Sequence, residues 1–159
     1  MKKERKRIDF KMGLAAAVVL FFVVSAFCFL ILHRSAGLKP EAEIVIGDSF
    51  PMAVEIARTG EERYKGLSGL DEIKFDQGKL FIHQSKAKHP YVMRGMLFDL
   101  DFVFIDGSEV ADIQEGVSKD YEGQISGEVE YDKVLELRKG TVESAGIEKG
   151  EKVDLLKAL

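Results

Sequence analysis

Two histidines and three aspartates have the side-chain types and the spacing to do chemistry. His83 and His89 bracket a five-residue loop, a separation that could bring both imidazoles to one zinc or copper ion. Two ligands do not make a metal site, and loop histidines without a third partner are ordinarily solvated; the third would have to come from Asp99 or Asp101. At strand spacing Asp99 and Asp101 share a face, as paired carboxylates for acid–base work or for a cation would. Asp106 is better explained by the glycine that follows it. With His89, either Asp99 or Asp101 would supply the acid and base of a hydrolase acting on a component of the cell envelope. Against an enzyme, no Ser, Thr or Cys stands in an elbow or triad motif, and the glycines form neither a dinucleotide fingerprint nor a Walker loop. The leading expectation is a non-catalytic binding or interaction module without a cofactor, and the envelope hydrolase is the alternative.

These residues lie on short elements. Met52, Val54 and Ile56 alternate with Ala53, Glu55 and Ala57, the period of a half-buried strand. Thr59 followed three residues later by Glu62 matches a capping box, and Gly66 can end the helix it opens, so Gly60 to Lys65 is predicted helical. Lys79 to His83 is a brief strand. Asp101 to Ile105 is the most strand-like run in the chain; it meets Asp106-Gly107, a strong hairpin signal, and the pattern resumes at Val110 to Gln114. Lys119 to Glu130 lacks an apolar period and reads as an exposed loop. Lys133 to Arg138 alternates again, a helical turn fits after Thr141, and Val153 to Leu156 closes the pattern. Phe75, Phe81, Phe98, Phe102 and Phe104 are expected in the core. Seven or so strands with one or two short helices predict a mainly β fold, a compact antiparallel β-sandwich or barrel.

Ahead of that domain, Met12 to Leu32 contains no charge and has only Ser25 as a polar side chain. A helix over these twenty-one residues would be about 31 Å long, enough to cross a hydrocarbon core. Six cations precede the run, Lys2, Lys3, Arg5, Lys6, Arg7 and Lys11, against Arg34 and Lys39 just after it. That bias keeps the N-terminus cytoplasmic and places the C-terminal domain outside. The run is too long for a signal-peptide core, and no small-residue cleavage site follows it. The organisation expected is a basic tail over 1–11, a transmembrane helix over 12–32, a linker over 33–43 and an extracytoplasmic domain over 44–159. Gly13 and Ala17 form a small-xxx-small pair, a motif that often arises by chance. Cys28, the only cysteine, lies within the span as an apolar filler, so no disulfide staples the domain.

Residues 38–159 carry sixteen Lys and Arg against twenty-five Asp and Glu, a net of −9. An acidic face repels nucleic acid and anionic lipid headgroups, which argues against a DNA-binding or polybasic membrane-docking role for the domain and leaves cationic partners open. The partners expected are the membrane through the single span, and an envelope protein or a small ligand.

Dispersed motifs add a resemblance. Ala57-Arg-Thr-Gly-Glu-Glu-Arg-Tyr-Lys-Gly-Leu67, Gly78-Lys-Leu-Phe81, Tyr91-Val-Met-Arg94, Leu100-Asp-Phe-Val-Phe-Ile-Asp106, Val134-Leu-Glu-Leu137 and Gly146-Ile-Glu-Lys-Gly150 stand in order. Together they resemble the domain of unknown function 192 family over about Val54 to Leu155. The resemblance implies a prokaryotic, often exported or anchored β-rich domain without an established activity. In the family an aromatic-Trp-Met-Lys-Asn-Thr segment is usual; Tyr91-Val92-Met93-Arg94-Gly95-Met96 keeps the aromatic, the Met and a cation and lacks the Trp, Asn and Thr. The candidate binding residues that follow are Tyr91, Met93, Arg94, Asp99 and Asp101. An Arg94–Asp101 pairing belongs to this reading, and a plain surface ion pair is the simpler account of it.

Overall fold

The computed structural model describes residues 20–25 and 37–156. The chain divides into two units, Met1–Ser35 and Ala36–Leu159. Of the first unit only residues 20–25 are described, and they are helical; the basic tail and the remainder of the expected span lie outside the described residues. Among the described residues no helix is long and apolar enough to cross a membrane.

In the second unit, alternating apolar residues build a seven-stranded sheet from β1 (Ala42–Ile46), β2 (Met52–Ala57), β3 (Gln77–Ala87), β4 (Leu100–Asp106), β5 (Glu109–Val117), β6 (Tyr131–Arg138) and β7 (Val153–Leu156). Their order is β5-β4-β6-β3-β2-β1-β7. The sheet curls into a half-barrel, and its two edges meet at one end. There the Val110 N–H donates to the Glu151 carbonyl at 2.9 Å, and the Gly150 N–H donates to the Val110 carbonyl at 2.8 Å. The expectation of an antiparallel sandwich or barrel is corrected in one respect. β2 and β3 pair in parallel, Val54 opposite Gly78 and Ile56 opposite Leu80. Periodicity reports which residues are buried but not the direction of a partner strand. The crossover that parallel pairing requires runs through α1 (Gly60–Lys65) and the loop after it.

The concave face holds one apolar cluster, with Ile44, Met52, Val54, Val103, Leu135 and Leu137 at its centre. A second cluster, around Phe81, Met93, Phe102, Phe104 and Tyr131, covers the opposite face of β3, β4 and β6. The middle strands are therefore buried on both sides, and six of the seven residues of β4 are buried. Ile125 is buried and bridges Tyr91, so the acidic 119–130 segment is tied down as a lid over the second cluster. Phe75, expected in the core, is exposed with the Arg138 guanidinium 4.8 Å from its ring centre.

Asp101 accounts for two local features. β5 bulges opposite it, with Leu100 paired to Val117 and Phe102 to Gln114. The second helix, α2 (Thr141–Ala145), has Gly140 as its N-cap, which offers no side-chain acceptor. The fully buried Asp101 carboxylate serves both, accepting from Gly116 N–H at 2.8 Å through Oδ1 and from Val142 N–H at 3.1 Å through Oδ2. It thereby supplies the helix end with the acceptor Gly140 lacks. In Asp101→Asn one side-chain oxygen becomes an N–H₂ group facing an N–H donor. Unfolding the full-length chain in urea is expected to show a loss on the order of 3 kcal/mol, while Asp99→Asn, at a more exposed position, shows less than about 1 kcal/mol.

Candidate functional site

A cleft of about 630 Å³ opens over the second apolar cluster, between α1, the end of β3 and the loop from His89 to Met96. The α1 wall is set by its capping box: Thr59 Oγ1 accepts from the Glu62 N–H at 3.2 Å and Glu62 Oε2 from the Thr59 N–H at 2.8 Å. Gly66 ends the helix at φ 52°, ψ −134°, a conformation essentially reserved for glycine. It lies against the Phe81 ring and the Glu136 carboxyl, where a Cβ would stand 3.6 and 3.9 Å from them.

Glu136 forms part of the cleft lining. It lies in a row crossing the sheet in register, Glu55 on β2, Lys79 on β3, Glu136 on β6 and Phe102 on β4. Lys79 is buried and bonds Glu55 Oε1 at 2.8 Å. The Glu136 side chain is 6 % exposed, and no hydrogen bond from a described residue reaches its carboxyl. Alongside it stands an aromatic and imidazole group. His83 Nε2 and the Tyr91 hydroxyl are 2.7 Å apart. The His83 and His89 rings stack at 3.6 Å between centres, 5° from parallel, with His89 Nε2 held 2.9 Å from the Ser85 carbonyl. At the rim, the Arg94 guanidinium lies 4.1 Å from the centre of the Tyr64 ring. Arg63 reaches the Arg58 and Ile82 carbonyls at 2.5 and 3.3 Å.

The residues singled out in the sequence are thus distributed unevenly. Tyr91, Arg94 and His89 share the cleft, whereas Met93 is buried in the second cluster beneath it. Asp101 accepts from two backbone amides rather than pairing with Arg94. Asp99 accepts from the Lys119 N–H at 2.8 Å and meets Lys139 Nζ at 3.2 Å. Neither aspartate lines the cleft that holds His89. Among the described residues no group of three or more His, Cys, Asp or Glu side chains could hold a metal ion. Glu136, Arg63 and Tyr64 were not singled out in the sequence. Two signals for Glu136 were available: its place in the motif Val134-Leu-Glu-Leu137 and its position on the same strand face as Val134.

The family model of domain of unknown function 192, described as an uncharacterized ACR, matches residues 43–155. The chain belongs to the DUF192 family. Two solved structures resemble this DUF192 chain. One, from Sinorhizobium meliloti 1021, is described as a "putative transcription regulator" and aligns with a TM-score of 0.70 at 22% identity, covering 76% of this chain and 96% of the other. The second, a protein of unknown function from Novosphingobium aromaticivorans DSM 12444, aligns with a TM-score of 0.69 at 25% identity, covering 77% and 89%. No curated protein matches the chain.

Electrostatics in the DUF192 cleft are set by burial. Desolvation raises the Glu136 carboxyl to about 8, opposed only by the Lys79 charge. Desolvation, with His89 and Arg63 nearby, lowers the His83 imidazole to about 4. Tyr91 is pushed upward by burial and by Glu136, and keeps its proton. At neutral pH the cleft therefore holds a protonated carboxyl beside a neutral imidazole. The folded chain retains the Glu136 proton that the unfolded chain releases between pH 4.5 and about 8. Glu136 thus contributes stability below that window and loses the contribution as pH rises through it. His83 acts in the opposite sense from about pH 4 to 6.5, where the unfolded imidazole takes a proton that the folded one refuses. Above 6.5 Glu136 is the one of the two still titrating. Urea unfolding is accordingly expected to show stability falling by about 1.4 kcal/mol per pH unit between roughly pH 6.5 and 8, and Glu136→Gln is expected to flatten that slope; a wild-type profile already flat there would contradict the assignment.

Proposed function

We propose that this chain is a non-catalytic binding domain, tethered to the outer face of the cell membrane by residues 12–32, that takes a small ligand in the cleft over Glu136. The uncharged run and the six preceding cations support the tether and its orientation. One observation carries the binding role: Glu136 is largely buried, its carboxyl lines the cleft, and no hydrogen bond from a described residue reaches it. A buried polar group left in that condition destabilises the fold. Such groups persist where a ligand supplies the missing partner, and a site of this kind trades stability for recognition. The hydrolase reading with Asp99 or Asp101 and His89 gains no support from the geometry, because both aspartates are engaged away from the cleft.

Two measurements on the full-length chain test this reading. Carbonate washing is expected to leave it in the membrane fraction, with its C-terminal domain digested by protease added to spheroplasts. In a thermal-shift screen of carboxylates, phosphates, sugars and amines, at least one class is expected to raise the midpoint by more than about 2 °C. Glu136→Leu, which removes the stranded carboxyl, is expected to raise the ligand-free midpoint by several degrees and to abolish that shift. Destabilisation by Glu136→Leu, with the ligand response intact, would contradict the proposal.

A further inference from the structure

Resting on that reading, we infer that the cleft's ligand is the phosphate-bearing headgroup of an anionic lipid, drawn from the bilayer in which the chain is anchored. The charge lining the cleft is opposite in sign to that of the domain. Against the net of −9 over residues 38–159, the cleft is lined by Arg63, Lys65 and Arg94, and among the described residues Glu136 is its single acid. With its carboxyl protonated, Glu136 offers a hydrogen-bond donor rather than a repelling charge. Arg94 and Arg63 retain guanidinium N–H groups in the planar arrangement suited to phosphate oxygens.

The origin of the phosphate follows from where the tether joins the domain. Gly37, Leu38 and Lys39 share a smaller cavity of about 190 Å³ with Lys65, Gly66 and Lys79. Lys65 and Gly66 are also walls of the main cleft, so the chain enters the domain directly beside it. Leu38 packs on the apolar cluster beneath the cleft, and the Lys39 N–H is fixed to Glu55 Oε2 at 2.7 Å. Six residues, 33–38, separate Leu32 from Lys39 and span at most about 20 Å when extended. A connection of that length allows the cleft side of the domain to reach the headgroups. Its rim suits that position, since Tyr64 is 72 % and Val92 50 % exposed beside Arg94. An aromatic, an aliphatic and cations together form the composition of a surface that settles at a lipid interface. The acidic average argued against anionic headgroups, but the uneven distribution of charge reverses that argument at this face.

The full-length chain, reconstituted in nanodiscs of phosphatidylcholine alone or with phosphatidylglycerol, provides the test. Hydrogen exchange in residues 60–68 and 89–96 is expected to slow at least tenfold when phosphatidylglycerol is present. Native mass spectrometry is expected to find phosphatidylglycerol retained over phosphatidylcholine by a similar factor. Arg94→Gln combined with Lys65→Gln, both exposed positions, is expected to reduce both effects at least threefold while moving the thermal midpoint by less than about 3 °C. If soluble glycerol phosphate protects the cleft equally in phosphatidylcholine discs, and phosphatidylglycerol has no further effect, the lipid source is overturned. If no phosphate compound protects it while a neutral compound from the screen still gives a Glu136-dependent shift, this inference falls and the binding role stands.

Discussion

A desolvated carboxyl at the cleft, reached by no hydrogen bond from a described residue, is the constraint around which the site of this domain is arranged. Glu136 shares a face of β6 with Val134, which belongs to the second apolar cluster. Here the 89–96 loop and the 119–130 segment cover that face with Met93, Met96 and Ile125. The one cation in register beside it, Lys79, donates its short hydrogen bond to Glu55 on the other side. Glu55 in turn is held below the ordinary carboxylate range; burial opposes this but is outweighed by bonds from the Lys39 amide and from Lys79. Lys79 therefore neutralises one acid of the row and leaves the other protonated. The difference between 4.5 and about 8 corresponds to on the order of 5 kcal/mol between the two protonation states of Glu136.

The fold tolerates such a group because its middle strands contribute to two apolar clusters at once. Val103 and Ile105 face the concave cluster while Phe102 and Phe104 face the covered one. Asp101 fixes the bulge in β5 and the start of α2 from the middle of the same strand. The closure of β5 against the start of β7 holds the curl at one end. These features leave the cleft to the parts least constrained by the sheet, namely a six-residue helix, a strand end and a loop, which is where binding residues commonly reside.

Much of the scaffold was legible in the sequence because its signals are local. Thr59, Glu62 and Gly66 specify α1 through capping bonds that span only a few residues, and Asp106-Gly107 specifies the β4–β5 turn with Gly107 at φ 61°. Features that depend on distant chain segments were not legible. Alternation in β2 shows which of its residues are buried but not that β3 runs parallel to it. Ile125, in an acidic stretch, shows its role only once Tyr91 is found opposite. Tyr91 and Arg94 came from a motif and share the cleft, while Asp101 stood out by its strand spacing from Asp99 and by a motif, and proves to bond backbone amides. Glu136 read as the polar face of an alternating strand, since nothing near it in sequence announces the loops that cover it.

The most direct test is the titration of Glu136 itself, followed through its side-chain carboxyl carbon by NMR in the full-length chain labelled at glutamate. Protonation is expected to persist through neutral pH, with a midpoint near 8 and the resonance absent from Glu136→Gln. A midpoint in the ordinary glutamate range, near 4.5, would show that the carboxyl is solvated or paired and would contradict the account.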